Sequence, residues 1–449
     1  MSTIEKHDMT QGKILLPLVS FTIPLVLGNL FQLTYNAADS VIVGKYVGEQ
    51  ALAAVGTSTP IMNIAILLIS GMCMGASVLM SSQYGAKDYD TLSRQISTTM
   101  LAGCGFSVVF SLLMLLLANP VLRLIRVPET AIPEAAAYLR IIFMGLIFTF
   151  MYNFLANTMR ALGDSKTPLY FLVTSAFLNI FGDLFFVVVL RWGVAGSAIA
   201  TVCSEGLCCL LCGIYIKKNI PLLCLGKKWW VFDKSLLGKT VSYGSTSAMQ
   251  QVCLQLGKLI IQSVVNTQGV AVMAAFTAVN RVDDFAYTPQ QNIGHAMTTF
   301  LAQNKGAGHK ERMKKGFQTG LLIELVYSIG LFCVIWGLAP QIMTLFAEDG
   351  DAQVVSLGIS YLQLISWMYI LPGLTNGVQG FFRGIGDLKV TLYSTFMNMF
   401  GRVVAVFVMI RLLQMEFASL AWANMVGWIV MLLFEVPLLV KSMRNGECG

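Results

Sequence analysis

The chain has 449 residues, of which 56% are hydrophobic and only 12% charged, with a formal net charge of +7. Soluble domains run to roughly 25% charged residues, so this composition excludes a fold whose whole surface faces water. Runs such as 108–118 and 321–335 are apolar all round rather than alternating, which excludes a barrel of strands and leaves membrane-spanning helices.

At about 20 apolar residues per span, the sequence predicts an all-α membrane protein of twelve transmembrane helices in two parallel six-helix bundles. The first span, 14–43, follows the charged residues Glu5, Lys6, Asp8 and Lys13. It runs on without a small-residue cleavage site, so a span is expected rather than a removed presequence. Spans at 51–81, 96–119, 134–157, 168–190 and 194–216 complete a first lobe, 14–216. Residues 217–235 form a basic linker in which Trp229 and Trp230 suit a lipid interface. Spans at 236–265, 271–302, 316–338, 353–380, 390–411 and 417–440 make a second lobe, 236–440, between a cytoplasmic N-terminus (1–13) and a cytoplasmic C-terminus (441–449).

That orientation comes from the basic residues. With the N-terminus inside, only Lys45, Arg123, Arg126, Arg191 and Arg411 fall in outer segments, against 21 inner ones, as the positive-inside rule requires. The expected location is therefore the bacterial cytoplasmic (plasma, or cell inner) membrane. The positive charge is accounted for by anionic lipid, with no nucleic acid partner. The ten cysteines lie mostly inside apolar helices, where they act as small hydrophobes rather than as a disulfide framework. Cys209 and Cys212 have metal-ligand spacing but no second ligand pair. No nucleotide-binding loop or metal motif points to an enzyme, and no cofactor is expected.

The chain repeats itself at a period near 222 residues. Arg160, Gly163, Asp164, Lys166, Leu169 and Tyr170 reappear as Arg383, Gly386, Asp387, Lys389, Leu392 and Tyr393. Asn179, Phe181 and Gly182 answer Asn398, Phe400 and Gly401, and Gln83 with Gly85-Ala86 answers Gln303 with Gly306-Ala307. A long fixed period means duplication. An even number of spans per half gives both halves the same topology, an arrangement transporters use around a substrate site.

Ionisable groups inside a bilayer are costly and therefore informative. In span 1, Asn29, Gln32, Asn36 and Asp39 step along one helical face. In span 5, Asn179 and Asp183 stand one turn apart, and Thr201 in span 6 adds a hydroxyl. Two carboxylates, an amide and a hydroxyl would hold a hard cation such as sodium. Alternatively, mutual repulsion would make the carboxyl pair a proton carrier. The competing reading for each is helix packing through polar contacts. The repeat places Gln262 opposite Asp39 and Arg402 opposite Asp183, so the coupling charge is expected mainly in the first half. Pro24, before Asp39, removes a backbone hydrogen bond and permits either a moving hinge or a static kink. Gln32, Asn36, Asn153, Asp283, Asp284 and His295 are accessory candidates. Arg281 is placed to pair with Asp284 at i+3, and Glu205, Glu324 and Glu435 are further intramembrane carboxylates whose facing the sequence leaves open.

The ordered set of Asp39-Ser-Val-Ile-Val-Gly44, Ala51–Gly56, Gln83-x-Gly-Ala, Arg160-x-x-Gly-Asp-x-Lys, Asn179-x-x-x-Asp183, Asn280-Arg-Val-Asp283 and Gln303-x-x-Gly-Ala resembles the MATE (multidrug and toxic compound extrusion) family. The likeness runs from about residue 10 to 440. It implies a V-shaped transporter of the multidrug/oligosaccharide-lipid/polysaccharide exporter superfamily, monomeric and embedded in membrane lipid. The resemblance further implies antiport of amphipathic, often cationic, small molecules against H+ or Na+. Asp39, Asn179, Asp183 and Thr201 match the N-lobe cation site of prokaryotic members. Gln262 and Lys258 stand where some members place acidic residues of a C-lobe site. A lipid-linked oligosaccharide flippase, built on the same duplicated bundles in related families, is the alternative function.

Overall fold

The computed structural model describes residues 8–125, 127–220, 230–346, 352–413, 417 and 419–444; the side chains of 36–38, 40, 49, 50, 52, 53, 346, 411 and 412 also fall outside the description. Glu5, Lys6, Cys224, Lys227, Lys228, Trp229, the acidic segment 347–351 and the side chains of Asn36 and Arg411 therefore lie outside the described residues.

The described residues are mostly helical, with short turns between helices and no strand among them. The first half comprises α1 (Leu15–Tyr46), α2 (Glu49–Gly85), α3 (Tyr89–Leu124), α4 (Ile132–Met144), α5 (Leu146–Ala161), α6 (Lys166–Asp183) and α7 (Gly193–Asn219). The second comprises α8 (Lys234–Val265), α9 (Val270–Gly306), α10 (Lys310–Phe346), α11 (Ala352–Ser366), α12 (Ile370–Ile385), α13 (Leu388–Phe407) and α14 (Ser419–Arg444).

The duplication is visible in local geometry. The fourth pass of each half is interrupted: α4 and α5 bend by 47° at Gly145, and a 3₁₀ turn, Trp367–Tyr369, separates α11 from α12. The fifth pass of each half ends in π-helical turns, Leu184–Val189 after α6 and Val408–Leu412 after α13. Counting each interrupted pair once gives six passes per half. Nine helices among the described residues are apolar and long enough to cross a bilayer, or ten with the bent α4–α5 pair. The two long helices outside that set are α8 and α9, of 32 and 37 residues. They carry Gln250, Gln251, Gln255, Lys258 and Gln262, and Asn280, Arg281, Asp283 and Asp284. Polar side chains, rather than lack of length, set them apart.

The repeated Gly-Asp loops are tight turns. Gly163 and Gly386 sit at φ +90° and +84°, a region costly for any residue with a Cβ. The carboxylate of Asp164 then accepts from the amides of Lys166 and Thr167, both at 3.0 Å, and starts α6.

The chain forms two compact units. Among the described residues, one comprises residue 8 and those within 23–248, the other 9–22 and those within 249–444. In the first, a core of buried side chains from α2, α3, α4 and α5 includes Ile69, Met80, Leu92, Leu139, Phe143 and Phe154. Close approach is bought by small residues: a Cβ on Gly103 would lie 2.0 Å from the Phe150 ring, and one on Gly75 would lie 2.5 Å from the Tyr243 carbonyl. Residues 231–233 lie along the start of α3, where the Val231 amide donates to Ser97 at 3.0 Å and Arg94 pairs with Asp233 at 2.5 Å.

In the second unit, α9 and α12 touch backbone to backbone: a Cβ on Gly380 would lie 2.7 Å from the Gly294 carbonyl oxygen, and one on Gly384 2.5 Å from Leu301 Cβ. The segment entering α1 belongs here. Met9 donates its amide to Gln303 at 3.1 Å, and Arg312 donates to the carbonyls of Met9, Gln11 and Gly12.

Candidate functional site

Within the first unit, α1, α6 and α7 bring a cluster of oxygen-bearing side chains together. Ser197 of α7 donates to Asp39 of α1 at 2.8 Å. Asp183, the last residue of α6 before the π-helical turn, is fully buried at 0% exposure. Its carboxyl faces that of Asp39 within hydrogen-bonding reach, and neither of its oxygens has a donor from another side chain. One turn back, Asn179 donates its amide nitrogen to the Thr201 hydroxyl at 3.2 Å, while its own side-chain oxygen is unpartnered. Thr201 donates in turn to the Ser197 carbonyl at 3.1 Å. The four residues singled out from sequence thus converge on one polar cluster.

The surroundings add groups the sequence reading missed. Gln32 contacts Tyr35, one turn on from it along α1, and Tyr35 lies within electrostatic range of Asp39 and Glu205. Tyr138 of α4 is 3% exposed and lies near both Asp39 and Asp183. Tyr35 was accessible in principle, since Gln32, Tyr35 and Asp39 share a face at steps of three and four. Tyr138 carries no such signal, because an isolated tyrosine in an apolar run is ordinary packing. Glu205, whose facing the sequence left open, points inward and accepts from Thr149 at 2.5 Å. Asn153 donates to the Thr149 carbonyl of its own helix and so sits one step behind Glu205. Pro24 is buried inside a continuous α1, one residue beyond the start of the first unit's share of that helix.

The remaining accessory candidates belong to the second unit, in two separate places. Asp283 of α9 is 4% exposed and accepts from Tyr369 at 2.5 Å and Tyr361 at 3.3 Å. Asn424 donates to Tyr361 at 2.9 Å, and Arg402 lies within electrostatic range of Asp283. Arg402, the repeat partner of Asp183, therefore lies near an aspartate from another helix. His295 accepts from Arg383 at 3.2 Å, and Arg383 continues to Gln379 at 3.0 Å. The expected Arg281–Asp284 pair does not form. Asp284 instead takes Lys258 of α8 at 3.4 Å, a pair exposed on both sides, and Arg281 is exposed as well. Gln262, opposite Asp39 in the repeat, donates to Asn266 at 2.7 Å.

Chemically, the first-unit cluster offers two carboxyls, one free amide oxygen and hydroxyls. A hydrogen bond between two carboxyls needs one proton shared between them. Without that proton, the same oxygens suit a hard monovalent cation. No group of three or more His, Cys, Asp or Glu side chains able to hold a metal ion occurs among the described residues. A duplicated helical chain with nine or ten membrane-length apolar spans among the described residues, and a buried carboxyl facing a half-buried one, fits a polytopic membrane transporter.

Comparison with known proteins agrees. The MatE family profile matches twice, over residues 24–185 and again over 247–409, so both halves carry the same repeat. The chain is 31% identical over 391 residues to the probable multidrug resistance protein YpnP of Bacillus subtilis, covering 87% of this chain and 86% of that one. It is 23% identical over 423 residues to the probable multidrug resistance protein NorM of Thermotoga maritima, covering 92% and 89%. A solved MOP superfamily transporter from Pyrococcus furiosus superposes with a TM-score of 0.90 at 22% identity, covering 99% of both chains, and shares the fold. The chain belongs to the MATE family of membrane transporters.

Proposed function

We propose that this transporter is a secondary active antiporter that exports amphipathic, often cationic, organic compounds in exchange for H+ or Na+ by alternating access. The observation that carries the reading is the facing of Asp39 and Asp183 inside the first unit. A buried Asp183 carboxyl facing the half-buried Asp39 is expensive unless the two hold a proton or a cation, and a site that can hold either one or none couples ion uptake to conformation. Asn179 and Thr201 supply neutral oxygen ligands, and Ser197 steadies the ionised form of Asp39. Pro24 is the point at which α1 bends as the pair loads, with Gln32 and Asn36 on the same helix and Glu205, Asn153 and the second-unit groups Asp283, Asp284 and His295 in supporting places.

The names of the relatives, which refer to multidrug resistance, support drug-like cargo. Seven carboxylates within the spans (Asp39, Asp183, Glu205, Asp283, Asp284, Glu324 and Glu435) favour a cationic one. On this reading the protein works as a monomer with lobes 14–216 and 236–440, in the bacterial cytoplasmic membrane, with both termini in the cytoplasm. The test is ethidium efflux from cells and proteoliposomes with sodium and pH gradients imposed separately. Movement that follows either gradient, and that is lost in Asp39→Asn and Asp183→Asn, supports the proposal. Efflux indifferent to both gradients overturns it in favour of a flippase-like activity on anionic lipid-linked cargo.

A further inference from the structure

The second unit holds a different set of unsatisfied oxygens, away from Asp283 and from His295. Glu324 lies near the middle of α10, about 21 Å along the axis from Lys310 at 1.5 Å per residue. It is 1% exposed, and both of its carboxyl oxygens lack any donor. Gln290 of α9 is 0% exposed. Its amide nitrogen donates to Ser328 at 3.1 Å and to the Tyr369 carbonyl at 2.8 Å, which fixes the side chain and leaves its oxygen free. Ser328 spends its proton on backbone carbonyls, Glu324 at 2.7 Å and Tyr369 at 3.3 Å.

These groups converge on a glycine. A Cβ at Gly373 would stand 2.8 Å from the Ser328 hydroxyl, 3.2 Å from the Gln290 amide nitrogen and 3.4 Å from a Glu324 carboxyl oxygen. Nothing larger than glycine fits there, and polar side chains of α9 and α10 meet at that spot on α12. No donor compensates the carboxylate. The titratable side chain within electrostatic range of Glu324 is Tyr327, which donates to the Ala286 carbonyl at 3.1 Å. From the neighbouring turn, the Tyr369 hydroxyl is committed to Asp283. On α9, Asp283 is held by its tyrosines and His295 by Arg383. No basic side chain pairs with Glu324 among the described residues.

A buried carboxylate without donors is strongly disfavoured, and an orphaned buried acceptor calls for an ion or proton that satisfies it. One negative charge with neutral amide, hydroxyl and carbonyl oxygens around it matches a single monovalent cation. We infer that Glu324, Gln290 and Ser328 form a second monovalent-cation site, taking H+ or Na+, in the second unit and separate from the Asp39–Asp183 pair.

The test uses the full-length Asp39→Asn/Asp183→Asn protein in detergent, so that the first site is silent and failure of the first proposal cannot mask this one. Its melting temperature is followed in sodium chloride against choline chloride at pH 8, and without sodium from pH 6 to 9. A cation that binds the folded protein raises that temperature by mass action. The expected result is a rise on the order of 5 °C with sodium, with falling pH, or with both. Glu324→Gln, which keeps the side-chain shape, should abolish it. A response to pH alone, lost in Glu324→Gln, assigns the site to H+; a response to sodium, likewise lost, assigns it to Na+. Gln290→Leu removes the neutral oxygen and should weaken the sodium midpoint about tenfold, which gives a reading even if Glu324→Gln folds poorly. The inference is overturned by a parent protein indifferent to both sodium and pH, or by a response that Glu324→Gln and Gln290→Leu leave unchanged.

Discussion

Replacing Asp183 by asparagine separates ion coupling from folding. On the proposed mechanism two carboxyls facing each other share one proton, so the pair would exchange about one proton, or one sodium ion, per transport cycle. One pH unit is equivalent to about 1.36 kcal/mol per proton. With one proton per cargo molecule and the membrane potential clamped, a gradient of two pH units should sustain about a hundredfold cargo gradient in proteoliposomes. Asparagine keeps the volume of Asp183 and can donate to Asp39, but it cannot release a proton. The accumulation ratio in Asp183→Asn should therefore fall to about one, while the melting temperature stays within a few degrees of the parent, because a neutral isostere of a buried charge is commonly tolerated. The assay is ethidium or tetraphenylphosphonium accumulation against imposed pH and sodium gradients, with folding checked by thermal unfolding. A well-folded Asp183→Asn protein whose cargo gradient still grows with either ion gradient would refute the reasoning.

Other consequences are independent of that one. Ser197→Ala removes the hydroxyl that Asp39 accepts from at 2.8 Å; a hydrogen bond to a charged group is worth about 1.5–3 kcal/mol, so the ion concentration for half-maximal efflux should rise about tenfold or more. Gly380→Val sets a side chain against the Gly294 carbonyl, 2.7 Å from the Cβ position, and overpacking of this kind costs about 1–3 kcal/mol, read as a lowered melting temperature. Outside the membrane, the Leu236 amide, with the amide of Ser235 and Arg94, holds the Asp233 carboxyl below its usual range. A lowered folded-state value means that the group stabilises the docked linker above the ordinary aspartate value, near ~3.9, and loses that contribution as pH falls through the folded value. Hydrogen exchange at residues 231–236 should therefore be slow at neutral pH and accelerate only below about pH 4. Arg312→Ala removes four hydrogen bonds to the carbonyls of Met9, Gln11 and Gly12, and should open residues 9–12 to proteolysis while α9 and α10 stay protected.

The placement of the candidate residues was legible where the signal was local. Asn179 and Asp183 are one turn apart on α6, and Gln32 and Asp39 share a face of α1, so helical spacing alone places them. Contacts whose partners come from afar were not legible. Asp283 is held by tyrosines 78 and 86 residues later, and nothing in the composition of 361–369 announces them. The Arg281–Asp284 pairing followed spacing on one helix and failed because Lys258, on another, reaches Asp284 instead. Hydropathy marked the spans but not their interruptions. The 134–157 stretch reads as one apolar run, while its 47° bend occurs at Gly145, where a Cβ would come within 2.3 Å of the Val202 side chain. The π-helical turn after Asp183 likewise leaves no compositional trace, since Leu184–Val189 is uniformly apolar.

The glycine seam between α9 and α12 bears on how long an ion stays. Gln290 sits on α9 next to Gly294, and Gly373 opens α12 below Gly380, so the seam welds these two walls of the Glu324 pocket into a single strut. On the proposed assignment, an occupant there would keep its ligands at constant separation and be retained through many cycles. Asp39 and Asp183 lack such a weld: Gly28 of α1 meets α6 through the side chains of Leu172 and Leu169, contacts that can slide. If both sites fill, the first behaves as a turnstile and the second as ballast, with turnover concentrated at the seam-free pair.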